Sequence, residues 1–288
     1  MTIRLILAPV LENAASEPAI AAAITLAKAF DAQVAGMHIR PDPERELSYL
    51  EGYLKGPARK GLVAKMNSHW SSQAESAAHS FKMLCKKQSV SFAEKPSGKP
   101  GLGASWNERV GSLRDVISAI GRSADVVVIG RPKGAAGGNG SKVIRDAVLA
   151  TGKPVIVIPE DGFERIGRNV VVAWNCGAEA ARAVGAALPI LRRAARVCII
   201  SAGGAMENGP SAAELSNYLK LHGVEAGVAW IKDKNRTPQD ILLDKASELD
   251  ADLIVMGAYS HRGLPERATG SFTQAILTHA DIPVLLVH

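Results

Sequence analysis

The chain has 288 residues, 47% hydrophobic and 22% charged, the balance of a globular protein long enough for two domains. Its three cysteines (Cys85, Cys176, Cys198) are too few and scattered for a disulfide framework, and with no CxxC pair they do not suggest a thiolate zinc site. The net charge of +6 sits in the first part: Lys and Arg outnumber Asp and Glu 21 to 14 over residues 1–160, against 13 to 14 over 161–288. The lysines are dispersed and lack interleaved aromatics, so a solvated helix face is expected rather than a nucleic-acid surface.

In chain order, MTIRLILAPVLENAAS has a short apolar core cut off by Glu12, unlike a signal peptide, and no later run is long enough to cross a bilayer. A cytoplasmic protein without a membrane partner is expected. LILAPV reads as a strand, followed by a polar turn, an alanine-rich helix and a second strand ending in GMHI. A basic insertion over 41–88 reads as mostly helical, and SGKPGLGAS (97–105) as a flexible loop. Residues 123–159 then give Ala-Asp, a β-branched run, Gly130, a loop, Gly140-Ser141, a helix and a closing apolar strand.

After a seam near Glu160-Asp161-Gly162 the same order returns. Strands are expected near 169–174, 196–201, 225–230, 252–257 and 283–287, with helices near 178–194, 210–222, 238–250 and 271–280. Short, continuous Val/Ile-rich strands alternating with helices imply right-handed crossovers and parallel sheets covered on both faces. The fold class expected is therefore α/β: two tandem, doubly wound, five-stranded parallel-sheet domains, 1–160 and 161–288.

The loop 258–270 leaves the fourth strand of the second copy and enters a helix at Gly270-Ser271. In open parallel sheets such loops lie at the ligand-binding edge, and a helix start offers free N–H groups and a positive dipole end to an anion. Gly270 permits close backbone approach; Ser271 and Thr273 offer hydroxyls; His261, Arg262 and Arg267 add positive charge. The same residues also serve as simple punctuation, with Gly257 ending a strand and Ser271 capping a helix. No Walker A, GxGxxG or GxSxG pattern occurs, and the seven histidines show no HxxxH or HxH spacing. Cys176, at an expected helix start, is either a reactive thiol or a small residue filling a turn. Trp174 is either packed or lines the ligand pocket.

The tandem repeat, G-x2-S-x9-G-S from Gly257 to Ser271, AWNCGAEAARAV (173–184) and the closing HADIPVLLVH resemble the universal stress protein family over the whole chain. The resemblance implies a Rossmann-like, adenine nucleotide alpha hydrolase-like fold with strand order 3-2-1-4-5, and a nucleotide site for ATP or another adenine nucleotide, with or without Mg²⁺. Carried over by position, that site comprises Ala173, Asn175, Met256, Gly257, Ser260, Gly270, Ser271, Phe272 and Thr273. Ser260 replaces the motif's second glycine, and Asn175 an aspartate near ribose and adenine. In the first copy Gly130 to Gly140 is three residues shorter and Lys133 takes the second glycine's place, so that copy is expected to be structural or partner-contacting.

Three functions follow. One is a nucleotide-responsive regulator of the stress response that does not turn over its ligand. The others are a slow ATPase or self-phosphorylating enzyme, and an interaction scaffold with both sites degenerate. Binding ranks above catalysis, with no catalytic residue or metal ligand assigned. A homodimer or a protein partner is expected, and the closing strand PVLLVH can pair within the chain or across a dimer.

Overall fold

The computed structural model describes residues 2–11, 13–48, 55–94, 98–131, 139–202, 210–231, 235–259 and 271–288, without the side chains of 139–141, 202 and 271. The first half contains β1 (Leu5–Pro9), α1 (Ser16–Phe30), β2 (Gln33–Arg40), α2 (Pro43–Glu46), α3 (Gly56–Lys87), β3 (Phe92–Ala93), β4 (Gly103–Val110), α4 (Leu113–Gly121), β5 (Val126–Arg131), α5 (Asn139–Thr151) and β6 (Val155–Pro159). The second contains β7 (Asn169–Ala173), α6 (Ala178–Leu191), β8 (Arg196–Ala202), α7 (Ala212–Leu221), β9 (Ala226–Ile231), α8 (Pro238–Glu248), β10 (Leu253–Gly257), α9 (Ser271–His279) and β11 (Val284–Val287).

All described strands join one sheet of order β3-β4-β2-β1-β5-β6-β11-β10-β7-β8-β9. The second half thus has the expected order 3-2-1-4-5. The first half has it too, with β3 added outside β4, so it contributes six strands rather than five. Every pairing is parallel except β6 with β11, which run antiparallel with Ile156 opposite Leu285. The closing strand therefore pairs within the chain, and the two copies share one continuous sheet.

Strand side chains alternate between two cores because successive Cβ atoms point to opposite faces. Val126, Val128 and Val255 join the core under α1, α3, α6 and α7. Val127, Ile129, Ile254 and Met256 join the one under α4, α5, α8 and α9. Burial on both faces explains the unbroken Val/Ile runs.

The basic insertion is helical, as expected. Of α3 only Ala74, Phe81 and Cys85 are buried, while Lys60, Lys65, Lys82, Lys86 and Lys87 stay exposed. Phe81 fixes this long helix to the sheet: a Cβ on Gly36 of β2 would lie 2.6 Å from its ring. The loop expected over 97–105 is overturned at its end, since Gly103, Ala104 and Ser105 pair with β2 in β4. The glycine that reads as a breaker leaves room there for the Gln33 side chain, whose end lies 2.8 Å from where a Cβ would stand.

The recurrent Ala-Asp also has a structural cause. The Asp125 carboxylate accepts the Arg4 and Leu5 N–H groups at 2.7 and 2.9 Å. Asp252 does the same for Arg168 and Asn169 at 2.9 and 3.1 Å. Each aspartate ties the start of its half's central strand to the neighbouring one. At the seam, Arg131 of β5 donates to the carbonyls of Thr278 and Ala280, at 3.2 and 2.6 Å, at the end of α9. A guanidinium here satisfies carbonyls that have no partner within the helix and opposes the negative dipole end. Arg193 likewise crosses the seam to lie 5.4 Å from the Phe30 ring.

Candidate functional site

Strand order reverses between β7 and β10: from β7 the chain winds outward to β8 and β9, then returns to β10 on β7's other side. Their carboxyl ends diverge there and leave a crevice. A cleft of about 240 Å³ occupies it. Ala173, Met256 and Gly257 come from the two strand ends, Ile200 from β8, Pro238 and Leu242 from α8, and Phe272 from α9; Trp174 and Asn175 complete the lining.

The turn out of β7 is held by its own polar groups. Trp174 N–H extends the ladder to Ile200 O (2.9 Å), and the buried indole donates through Nε1 to Pro210 O, also at 2.9 Å. Asn175 Oδ1 accepts the Gly177 N–H at 3.0 Å, an Asx turn that brings the chain into α6. This bond occupies the amide oxygen and leaves the NH₂ group as donor at the cleft. Cys176 between them adopts φ 60° and is buried, as a turn-filling residue would be.

Gly257 has a packing reason to be glycine. A Cβ would lie 2.5 Å from Ala180 N and 2.6 Å from Glu179 C, inside the first turn of α6. Gly130 repeats this in the first half, with Ala15 O at 2.1 Å. The motif's first glycine therefore lets a strand end approach a helix start, whatever lies in the cleft.

Beyond Gly257, Tyr259 takes φ 54° and its N–H reaches the buried Thr273 Oγ1 at 3.4 Å, linking the loop's stem to α9. The Tyr259 hydroxyl is buried with no hydrogen-bond partner among the described residues. Burial pushes its pKa up to about 12, with Arg145 of α5 opposing the rise and Asp146 adding to it. At the chain's last residue, His288, Nδ1 lies 3.1 Å from Ala258 O, and Arg182 Nε donates to the His288 carbonyl at 3.0 Å.

Of the residues the sequence singles out, the structure brings Ala173, Asn175, Met256, Gly257 and Phe272 to one cleft, with Thr273 in the adjoining turn of α9. Ser260, Gly270, His261, Arg262 and Arg267 lie outside the described residues. Ser271 is the first residue of α9. Ile200, Pro238 and Leu242 were not anticipated. Thr237-Pro238, an N-cap before a first-turn proline, was the available signal that α8 begins beside the cleft. No cluster of three or more His, Cys, Asp or Glu among the described residues is arranged for a metal ion. No helix among them is long and apolar enough to cross a membrane.

The pairing registers align the halves. β1 and β7 pair equivalently with β2 and β5, and with β8 and β10, which sets Pro9, Val10 and Leu11 at the positions of Ala173, Trp174 and Asn175. Counting back from Pro154 and Pro283 sets Ile144 at the position of Thr273. The first half thus has apolar side chains where the second has an amide and a hydroxyl.

The universal stress protein family profile matches residues 168–288. None of the curated proteins compared with the chain matches it. Among solved structures, a universal stress protein from Archaeoglobus fulgidus DSM 4304 is 15% identical, with TM-score 0.68 over 98% of this chain and 97% of its own. The functionally unknown protein PA1789 from Pseudomonas aeruginosa PAO1 is 13% identical, with TM-score 0.56 over 99% of this chain and 92% of its own. The universal stress protein profile thus lies on the second half of the chain, and the fold along nearly all of its length is that of a solved universal stress protein.

Proposed function

We propose that the chain is an adenine-nucleotide-binding regulator that responds to stress through its second domain, residues 161–288, while the first, residues 1–160, holds no ligand at the matching place. The observation that carries this reading is the cleft at the β7–β10 reversal, where apolar walls and one amide donor meet beside the start of α9. A flat purine suits walls made by Trp174, Ile200, Leu242, Met256 and Phe272, and Asn175 NH₂ faces it as a donor. The phosphates are assigned to the start of α9, with Ser260, Gly270, Ser271 and Thr273, where free N–H groups favour an anion. Ala173 and Gly257 form the strand-end floor between them. Mg²⁺, where present, neutralises phosphate charge.

The described cleft lining offers no carboxylate, imidazole or amine to activate a nucleophile, which favours binding over turnover. The test is thermal unfolding with ATP, ADP and AMP, on the wild type and Gly270→Val. A ligand at a hundred times its Kd stabilises by about 2.7 kcal/mol, which raises the melting temperature by several degrees. The expected result is such a rise in the wild type and its loss in the variant. No rise at millimolar nucleotide would overturn the reading, and Mg²⁺-dependent ADP release abolished by Gly270→Val would replace it with a slow ATPase.

A further inference from the structure

The two ends of the sheet are different kinds of edge. One is β3, a strand of two residues. The other is β9, six residues reading AGVAWI, paired along its length with β8 from Ala226 to Ile231. It contains no charge and no proline, the usual devices that keep an edge from pairing with another chain. Val228 and Trp230 are 37% and 47% exposed. A Cβ on Gly227 would meet nothing nearer than Val197 O, at 3.9 Å. The closing strand β11 is flanked by β10 and β6, so both of its sides are already used.

The side chains of β9 complement themselves when the strand is laid antiparallel on its own copy. With a two-fold axis through Val228, the bulky Trp230 faces the small Ala226, and Ala229 faces Gly227. Each large side chain then meets a space, and the contact is apolar on both faces of the sheet.

We infer that the chain self-associates through β9, pairing antiparallel with β9 of a second copy and continuing the sheet across a two-fold axis. The contact is isologous, so it closes at two chains. It is independent of whether the cleft binds a nucleotide.

Sedimentation velocity over a wide concentration range tests this without added nucleotide. The wild type is expected to shift from one chain's mass towards twice that mass as concentration rises. The double variant Val228→Lys, Trp230→Lys is expected to stay at one chain's mass, because two lysines would meet on the axis. A second readout uses Val228→Cys, which stands opposite itself at about 5 Å between Cβ atoms and is expected to give a covalently linked dimer with a short bismaleimide cross-linker. Leu221→Cys, 87% exposed on α7 rather than on the strand, is expected not to. A wild type of one chain's mass at every concentration overturns the inference. So does a dimer that survives both lysines and leaves Val228→Cys unlinked.

Discussion

The two halves agree where packing demands it and differ where it does not. Both have an aspartate holding the start of the central strand, and both have a glycine pressed against a helix start. They part at the turn after the central strand. The second half has Asn175, with Oδ1 bonded to Gly177 N–H and an amide donor left over. The first has Leu11, whose carbonyl accepts the Ser16 hydroxyl. One turn further, Thr273 is matched by Ile144, and both are buried. Both polar groups bond within the fold of the second half, to Gly177 N–H and Tyr259 N–H, and under the proposed function the amide donor that is left over serves the ligand.

The strongest way to break this comparison is to attack what the halves share. Gly130→Val and Gly257→Val each force a side chain into helix backbone at 2.1 and 2.5 Å. Each is expected to cost about 3 kcal/mol or more in denaturant unfolding, with Gly130 the worse. A Gly257 variant that kept full stability and lost only ligand binding would show the glycine to be there for phosphate.

Exchanging what differs comes next. Asn175→Leu copies the first half into the second and is expected to abolish the nucleotide-induced rise in melting temperature, which reflects about 2.7 kcal/mol of stabilisation at a hundred times the Kd. It should also lose roughly 1 kcal/mol of intrinsic stability with the turn hydrogen bond. Leu11→Asn in that background is expected not to restore binding, because Ile144 still stands where a hydroxyl is needed.

A smaller effect tests how closely the halves are coupled. Arg131 is half-buried, and desolvation lowers its pKa against the opposing pull of Asp281, Asp161 and Glu160. Arg131→Met should leave the carbonyls of Thr278 and Ala280 without this donor and cost about 2 kcal/mol by chemical denaturation. Because α9 carries the proposed phosphate end, the same variant is expected to weaken nucleotide binding from across the seam. Normal affinity would show the halves to be energetically separate.

The smallest effect concerns the paired aspartates, of which Asp125 is exposed and Asp252 buried. Burial raises the Asp252 carboxyl above its ordinary value, although the N–H groups of Asn169, Arg168 and Gly167 and the charge of Arg165 pull it down. A raised folded-state value means the folded chain holds this proton more tightly. Its contribution to stability is therefore full below the unfolded value and is lost as pH rises through the folded one. Asp252→Asn is expected to flatten the stability profile over that interval in denaturant midpoints measured from acid to neutral pH. An unchanged slope would assign the dependence to other carboxyls.

Much of this architecture was legible in the sequence. The strands of the second half fall within about a residue of where Val/Ile runs and Gly/Pro punctuation place them, because strands buried on both faces leave an unbroken apolar signature. Two features were hidden. Phe92–Ala93 is too short for any periodicity, and Gly103 reads as loop because its reason, the Gln33 side chain lying over it, is a contact across strands. The cleft was half legible. Gly257, Asn175 and Phe272 follow from a motif near single strand ends, whereas Ile200, Pro238 and Leu242 belong to elements that only the sheet order brings together.

The antiparallel contact of β6 with β11 has one further consequence. Joined by a covalent linker, the two halves meet at an effective concentration fixed by the chain rather than by its abundance, so dilution does not part them. A symmetric pair of identical subunits receives every mutation twice, once on each side. Here each side mutates alone, and one half can give up its polar residues while still supplying Arg131 to its neighbour's helix.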